Sequence, residues 1–283
     1  MLQPPQHWDW EIKSETSWSG VSFKELFSFK DLLFRLVRKD FLASFQQTLL
    51  GPVWVVFQPL LTAFTYIFVF RNLMKFSTEG FPALLFYLTG ITLWNLFSEL
   101  FLNISTTFTS NVGVFSKVYF PRLIAPLASL LLYLLRFGIQ FVFLLIVYIY
   151  FCFTSNVDFN LFRVLLIIPV VLITAGIGFG CGLIFSILST KYKDLLGVLQ
   201  LVTRLLMFVC PIFYSLSMVK PEIKWVVNLN PLSSQFEMFR FAFLGSGQLA
   251  AVPFLYSFVC MIALVGGGIM LFNKMGDKLM DVA

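Results

Sequence analysis

The segment SNVGVFSKVYFPRLIAPLASLLLYLLRFGIQFVFLLIVYIYF, residues 110–151, sets a lysine, a proline and an arginine at the mouth of a long, nearly unbroken apolar run. A helix needs about 20 apolar residues to cross a hydrocarbon core of roughly 30 Å. This run exceeds that length and carries one charge, Arg136, in its middle. An arginine so placed is costly and marks a partner or an aqueous path. The reading as a membrane span therefore decides the fold.

The rest of the chain agrees with it. Of its 283 residues 59% are hydrophobic and 12% charged, and the mean hydropathy is +0.88, far from the soluble average. Comparable runs fall near 52–70, 83–103, 122–152, 164–189, 195–217 and 251–273. The sequence predicts an all-α integral membrane protein with six transmembrane helices. Three parts are expected: a polar tail over 1–21, cytoplasmic amphipathic helices over 22–50, and a six-span permease domain over 51–283. The first apolar run begins only at Pro52, after HWDWEIKSETSWSG, without a basic, apolar and cleavable leader before it. A retained N-terminus is expected.

Cation placement gives orientation, because short loops rich in Lys and Arg stay cytoplasmic. With six spans, one side holds thirteen Lys and Arg, Lys13 to Lys39, Lys117, Arg122, Lys191 and Lys278 among them, against six opposite. Both termini are expected in the cytoplasm. The net charge of +6 then suits anionic lipid headgroups rather than nucleic acid.

Other chemistries lack their residues. Cys152, Cys181, Cys210 and Cys260 lie in or beside apolar runs without CxxC spacing, and His7 is the single histidine. They read as small buried hydrophobes, so no metal site is expected and no catalytic residue is assigned. No GxxxxGK[ST] loop occurs; if ATP drives this protein, a second polypeptide supplies the ATPase. A glycan polymerase or transferase needs a catalytic cluster on a large outer loop, where only Glu79, Asp158, Glu222 and Glu237 are scattered. An ion-coupled transporter needs several intramembrane carboxylates, and Glu99 is the one candidate. A direct Glu99–Arg136 pair would require a tilt or a reach, and backbone carbonyls or snorkelling are equal alternatives.

Before the first span, Ser22 with Glu25 and Ser28 with Asp31 form two candidate capping boxes. Phe34, Val37, Phe41, Phe45 and Leu49 recur at helical spacing, the pattern of a helix lying in the interface. Between the fifth and sixth runs, Asn230 followed by Pro231 starts a helix that ends at Gly245 and is too short to span. It reads either as re-entrant or as a short outer helix lying flat, and two such helices are expected over 220–247. Glu237 and Arg240 share one of its faces, a pair worth about 0.2–0.5 kcal/mol if exposed, and protein must cover its phenylalanines. These short helices are read as a gate over the export path, the alternative being a stiffened outer rim. Of the 36 Phe, Phe57, Phe64 and Phe68 share a face of the first span with Leu61, and Phe208, Phe213 and Tyr214 lie on the fifth; all are candidates to line a conduit or to face lipid. Gly176, Gly178, Gly180 and Gly182 read as close-packing positions.

Five pieces occur in order: QTLLGPVWVVFQPLL (47–61), FSKVYFPRLIAPLAS (115–129), STKYKDLL (189–196), PIFYS (211–215) and NLNPLSSQFEMFR (228–240). Together they resemble the membrane subunit of ATP-binding-cassette polysaccharide exporters, the group that moves O-antigen, capsule and teichoic acid chains. Such permeases usually carry an Arg-Tyr-Arg-like stretch before the Leu-Gly-Pro element, where this chain has Ser44, Phe45 and Gln46.

The resemblance implies a homodimer in the inner membrane, joined to two ATPase subunits and exporting a lipid-linked polysaccharide. ATP and Mg would bind the partner subunit and no cofactor this chain. It also implies that Lys117, Tyr119, Phe120, Pro121 and Arg122 dock into a groove of the ATPase, with Lys191, Tyr192, Lys193 and Asp194 on the other cytoplasmic connection. Pro121 suits the first position of the third span, and Lys117 and Arg122 suit the headgroup level, which a topology anchor alone would also explain. An exporter of small lipids or drugs is the alternative within the same fold.

Overall fold

A hydrocarbon core offers no water to backbone N–H and C=O groups, so long apolar runs close their hydrogen bonds internally as helices. The computed structural model describes residues 23–115, 120–155, 160–192, 194–245 and 251–280, and among them every regular element is helical. α1 (Phe23–Ser28) and α2 (Lys30–Phe45) precede the first span. That span runs Gly51–Leu73: a 3-10 turn at Gly51–Val53, α3 (Trp54–Tyr66) with Pro59 inside it, and a π-helical end at Ile67–Leu73. α4 (Ala83–Ser105), α5 (Thr107–Phe115), α6 (Ile124–Thr154), α7 (Leu161–Leu165) and α8 (Ile167–Lys191) follow. α9 (Leu195–Val209), α10 (Pro221–Leu229), α11 (Pro231–Leu244) and α12 (Ala251–Met280) complete the order.

Among the described residues, five helical stretches are long and apolar enough to cross a membrane, at Gly51–Leu73, Ala83–Ser105, Ile124–Thr154, Arg163–Lys191 and Ala251–Met275. The expected fifth span over 195–217 is cut short. α9 has 15 residues, about 22 Å of rise against a core of roughly 30 Å. Pro211 cannot continue the helical ladder, and the chain turns at Cys210 into an irregular stretch, the Ile212 N–H bonding the Cys210 carbonyl.

α8 is the central element, packed between α4 and α12. Glycine makes this possible on both sides. A Cβ on Gly180 would stand 2.5 Å from the backbone carbon of Leu264 on α12, and one on Gly182 would stand 2.7 Å from the Cβ of Ile104 on α4. Gly176 meets Met261 and Gly178 meets Phe97 in the same alternation, so the glycine stripe is packing, as expected. The Ser189 hydroxyl donates to the Ser105 carbonyl at 2.6 Å and ties the ends of α8 and α4 together.

Three local expectations change. α2 starts with Phe29 rather than Ser28 at its N-cap, and Phe29 gives no side-chain cap bond; Ser22 lies outside the described residues. The face of α2 is split: Val37 is buried and Phe41 partly so against the core, whereas Phe34 faces outward. Leu49 lies beyond the helix and is fully exposed. Pro121 does not begin the third span. α6 opens at Ile124, and the Pro121 carbonyl accepts from the Ile124 N–H in the turn before it.

Candidate functional site

The two short helices between α9 and α12 form as their sequence dictates. Asn230 accepts from the Leu232 N–H at 3.0 Å and Pro231 occupies the first turn. Gly245 ends α11 in the left-handed region at φ 73°, where a residue without Cβ is favoured. Phe236, Phe239 and Phe243 are buried. Their cover comes from this same chain: Trp94 of α4 lies 6.4 Å from Phe236, and Tyr148 of α6 lies 5.2 Å from Phe243.

Arg240 is 1% exposed, a charge that stands only if it is paired and hydrogen-bonded. Nη2 donates to the Pro211 carbonyl at 2.6 Å and to the Ile212 carbonyl at 3.5 Å. Nη1 donates to the Tyr214 carbonyl at 3.2 Å and to Glu237 Oε1 at 3.1 Å. The guanidinium also lies 4.1 Å from the Phe86 ring centroid on α4. The same Glu237 oxygen accepts from the Leu216 N–H at 3.1 Å. Burial pushes the Glu237 carboxyl up from its ordinary range, and Arg240 and the Leu216 N–H pull it back. The expected pair is thus a buried knot and not an exposed i,i+3 contact. Its other partners, carbonyls 26 to 29 residues away, were missed; the signal available was an arginine amid phenylalanines, which has to find acceptors somewhere.

Beside the knot lies a cavity of about 410 Å³ between the turn at residues 77–80, the stretch after α9, both short helices and the start of α12. Glu79, Ser217, Lys224, Asn228, Ser234 and Phe254 are in its wall. Glu79 accepts from the Ser217 hydroxyl at 2.6 Å.

A second polar group lies inside the bundle. Arg136 Nη1 stands 3.9 Å from Glu99 Oε2, within reach but too far for a hydrogen bond. The guanidinium is 5.1 Å from the Tyr133 ring centroid and 5.6 Å from that of Phe45 on α2. Asn95 donates weakly to Gln140 at 3.4 Å. A cavity of about 200 Å³ opens among these groups, α2 and α3.

The conduit candidates divide. Phe57, Phe64 and Phe68 face outward from the first span with Leu61, and Phe208 faces outward from α9 at 59% exposure. Phe213 does not. It is 2% exposed, 4.4 Å from Phe70 and 4.7 Å from Tyr66 between ring centroids, and it anchors the break after α9 to the first span. Tyr214 is half-buried and its hydroxyl donates to the Val209 carbonyl at 2.7 Å. Of the coupling residues, Lys191, Tyr192 and Asp194 are exposed in the connection from α8 to α9. Phe120 and Pro121 are buried and Arg122 half-buried before α6. Lys117, Tyr119 and Lys193 lie outside the described residues.

Comparison with known proteins places this architecture. The chain is 28% identical over 257 residues to the O-antigen export system permease protein RfbA of Klebsiella pneumoniae, covering 89% of this chain and 95% of that protein. It is 24% identical over 213 residues to the RfbA permease of Myxococcus xanthus, covering 75% and 79%. Residues 31–244, from the second residue of α2 to the last of α11, match the family described as ABC-2 type transporter. A helical bundle with five clear spans and a family match running through most of its length means that this chain belongs to the ABC-2 type transporter family.

Proposed function

We propose that this chain is the membrane subunit of an ATP-driven exporter that carries a lipid-linked polysaccharide, O-antigen in class, across the inner membrane. The observation that carries the reading is the likeness, over 89% of the chain and 95% of the relative, to a protein named an O-antigen export permease. In this reading two copies assemble, the outward apolar faces of α3 and α9 meet lipid or the second copy, and α9 with the stretch after it completes a sixth crossing. Both termini are cytoplasmic. α10 and α11 then sit at the outer end, as a gate, and the connections at 116–123 and 192–194 face the cytoplasm.

The ATPase belongs to a separate polypeptide that binds ATP and Mg. The exposed Lys191, Tyr192 and Asp194 supply charged and aromatic groups for it to grip, together with Lys117, Tyr119 and Arg122 of the other connection, whereas Phe120 and Pro121 are buried. Deleting the gene tests the whole reading. Surface polysaccharide is expected to vanish while its lipid-linked form accumulates inside; an unchanged surface glycan overturns the proposal.

A further inference from the structure

The cavity beside the Arg240 knot has the size of a small-molecule site, about 410 Å³ against roughly 300–1,000 Å³ for ligand pockets. Its wall is mixed in an instructive way. Glu79 offers a carboxylate, Lys224 an ammonium, Asn228 a carboxamide, and Ser217 and Ser234 hydroxyls. Among the described residues, the Lys224 ammonium and the Asn228 carboxamide make no side-chain hydrogen bond or salt bridge, and Lys224 is near enough to Glu237 to favour its charged form. Glu237 is already fixed by Arg240 and Leu216, and Glu79 holds Ser217, so that side of the wall is organised before anything binds. Phe254, Met238 and Pro253 provide an apolar patch.

These features select a ligand class. An acyl chain would leave the polar wall groups without partners, at a cost for each. An anion would face Glu79 and Glu237, and a cation Lys224 with Arg240 behind Glu237. A neutral polyhydroxylated ring suits the site: each hydroxyl both donates and accepts, and the C–H face of a pyranose can lie on Phe254.

We propose that this cavity binds one or two sugar residues of the exported chain, with Glu79, Lys224 and Asn228 taking ring hydroxyls and Phe254 taking the apolar face. The proposal rests on the polysaccharide reading and adds to it a contact point at the end where the chain would emerge. It makes α10 and α11 a holding surface as well as a cover.

The test uses the full chain in lipid nanodiscs. Saturation-transfer NMR would be recorded with D-galactose, D-mannose, N-acetyl-D-glucosamine, and oligosaccharides released by mild acid from the producing cell's surface polysaccharide. At least one probe is expected to receive saturation. Asn228→Ala and Glu79→Gln are each expected to weaken its binding about five-fold, the loss of one or two hydrogen bonds. Val142→Ala, on the outward face of α6, is expected to leave binding unchanged. No transfer to any probe, or equal transfer in wild type and both cavity variants, overturns the proposal. Gene deletion judges the export reading separately. If glycan reaches the surface without the protein, that reading fails; if export requires the protein and no probe binds, the cavity proposal alone fails.

Discussion

Nη2 of Arg240 stands 2.6 Å from the carbonyl oxygen of Pro211, so one side chain of the second short helix holds the place where α9 stops. Proline stops the helical ladder there, and the irregular stretch that follows has carbonyls that need partners elsewhere. Arginine's fork takes up three of them and Glu237 besides. The break and its clamp are two halves of one arrangement.

Removing the clamp is therefore expected to be severe. Arg240→Ala strands a buried carboxylate and several carbonyls, a class of change that costs about 3–5 kcal/mol. Glu237→Gln keeps an acceptor for Leu216 and Arg240 and is expected to cost about 1–3 kcal/mol. Thermal unfolding of the purified protein in detergent should rank wild type above Glu237→Gln above Arg240→Ala. Equal melting temperatures would show that the knot contributes nothing.

The α8 contacts give a matched pair of glycine substitutions. Gly180→Ala pushes a methyl group against the Leu264 backbone and is expected to cost about 1–3 kcal/mol by overpacking. Gly197→Ala on α9 meets nothing within 4 Å and is expected to gain about 0.5–1 kcal/mol from helix propensity. Opposite shifts in melting temperature are the expected result.

Glu99 and Arg136, 3.9 Å apart, should couple weakly. A double-mutant cycle with Glu99→Gln and Arg136→Gln is expected to give about 0.5–1.5 kcal/mol of interaction energy, the lower part of the range for neighbouring residues. A much larger coupling would mean that the two close to a hydrogen-bonded pair in the membrane.

Orientation is open to direct labelling. With the four native cysteines replaced, cysteines at Ser77 and Glu222 are expected to react with an impermeant maleimide on whole cells. A cysteine at Asp194 should react only after permeabilisation. Labelling at Asp194 in intact cells would reverse the topology.

For coupling, Asp194→Ala and Lys191→Ala are expected to lower ATP hydrolysis by the assembled complex, or its assembly, without loss of the inserted permease. Wild-type hydrolysis in an intact complex would remove this connection from the docking surface.

The sequence made some of this legible and hid the rest for physical reasons. Asn230, Pro231 and Gly245 act locally, through their own backbone and its neighbours, so α11 was readable to its ends. Helix lengths were readable wherever apolar residues continued. Faces were not, because a helix apolar all round gives no period from which to find its inner side. That is why Phe213 and Phe208, five residues apart, could not be told apart as anchor and outward ring. Pro211 was visible, but the apolar residues around it masked the shortfall of α9. The partners of Arg240 were hidden differently, since they are carbonyls, which every residue has.

The glycines on alternate sides of α8 have a mechanical consequence. Gly180 brings α8 against the backbone of α12, and Gly182 brings it against the Cβ of Ile104 on α4. A helix keyed on two sides cannot turn about its own axis without driving bulkier neighbours into one contact or the other. α4, α8 and α12 can then travel only together, as a stator. The first span meets α4 through the ring edges of Tyr66 and Tyr87, and it meets α9 and the stretch after it through the Met207 sulfur and Phe213, contacts that can slide and re-form, so freedom to move lies with those two helices rather than with the block.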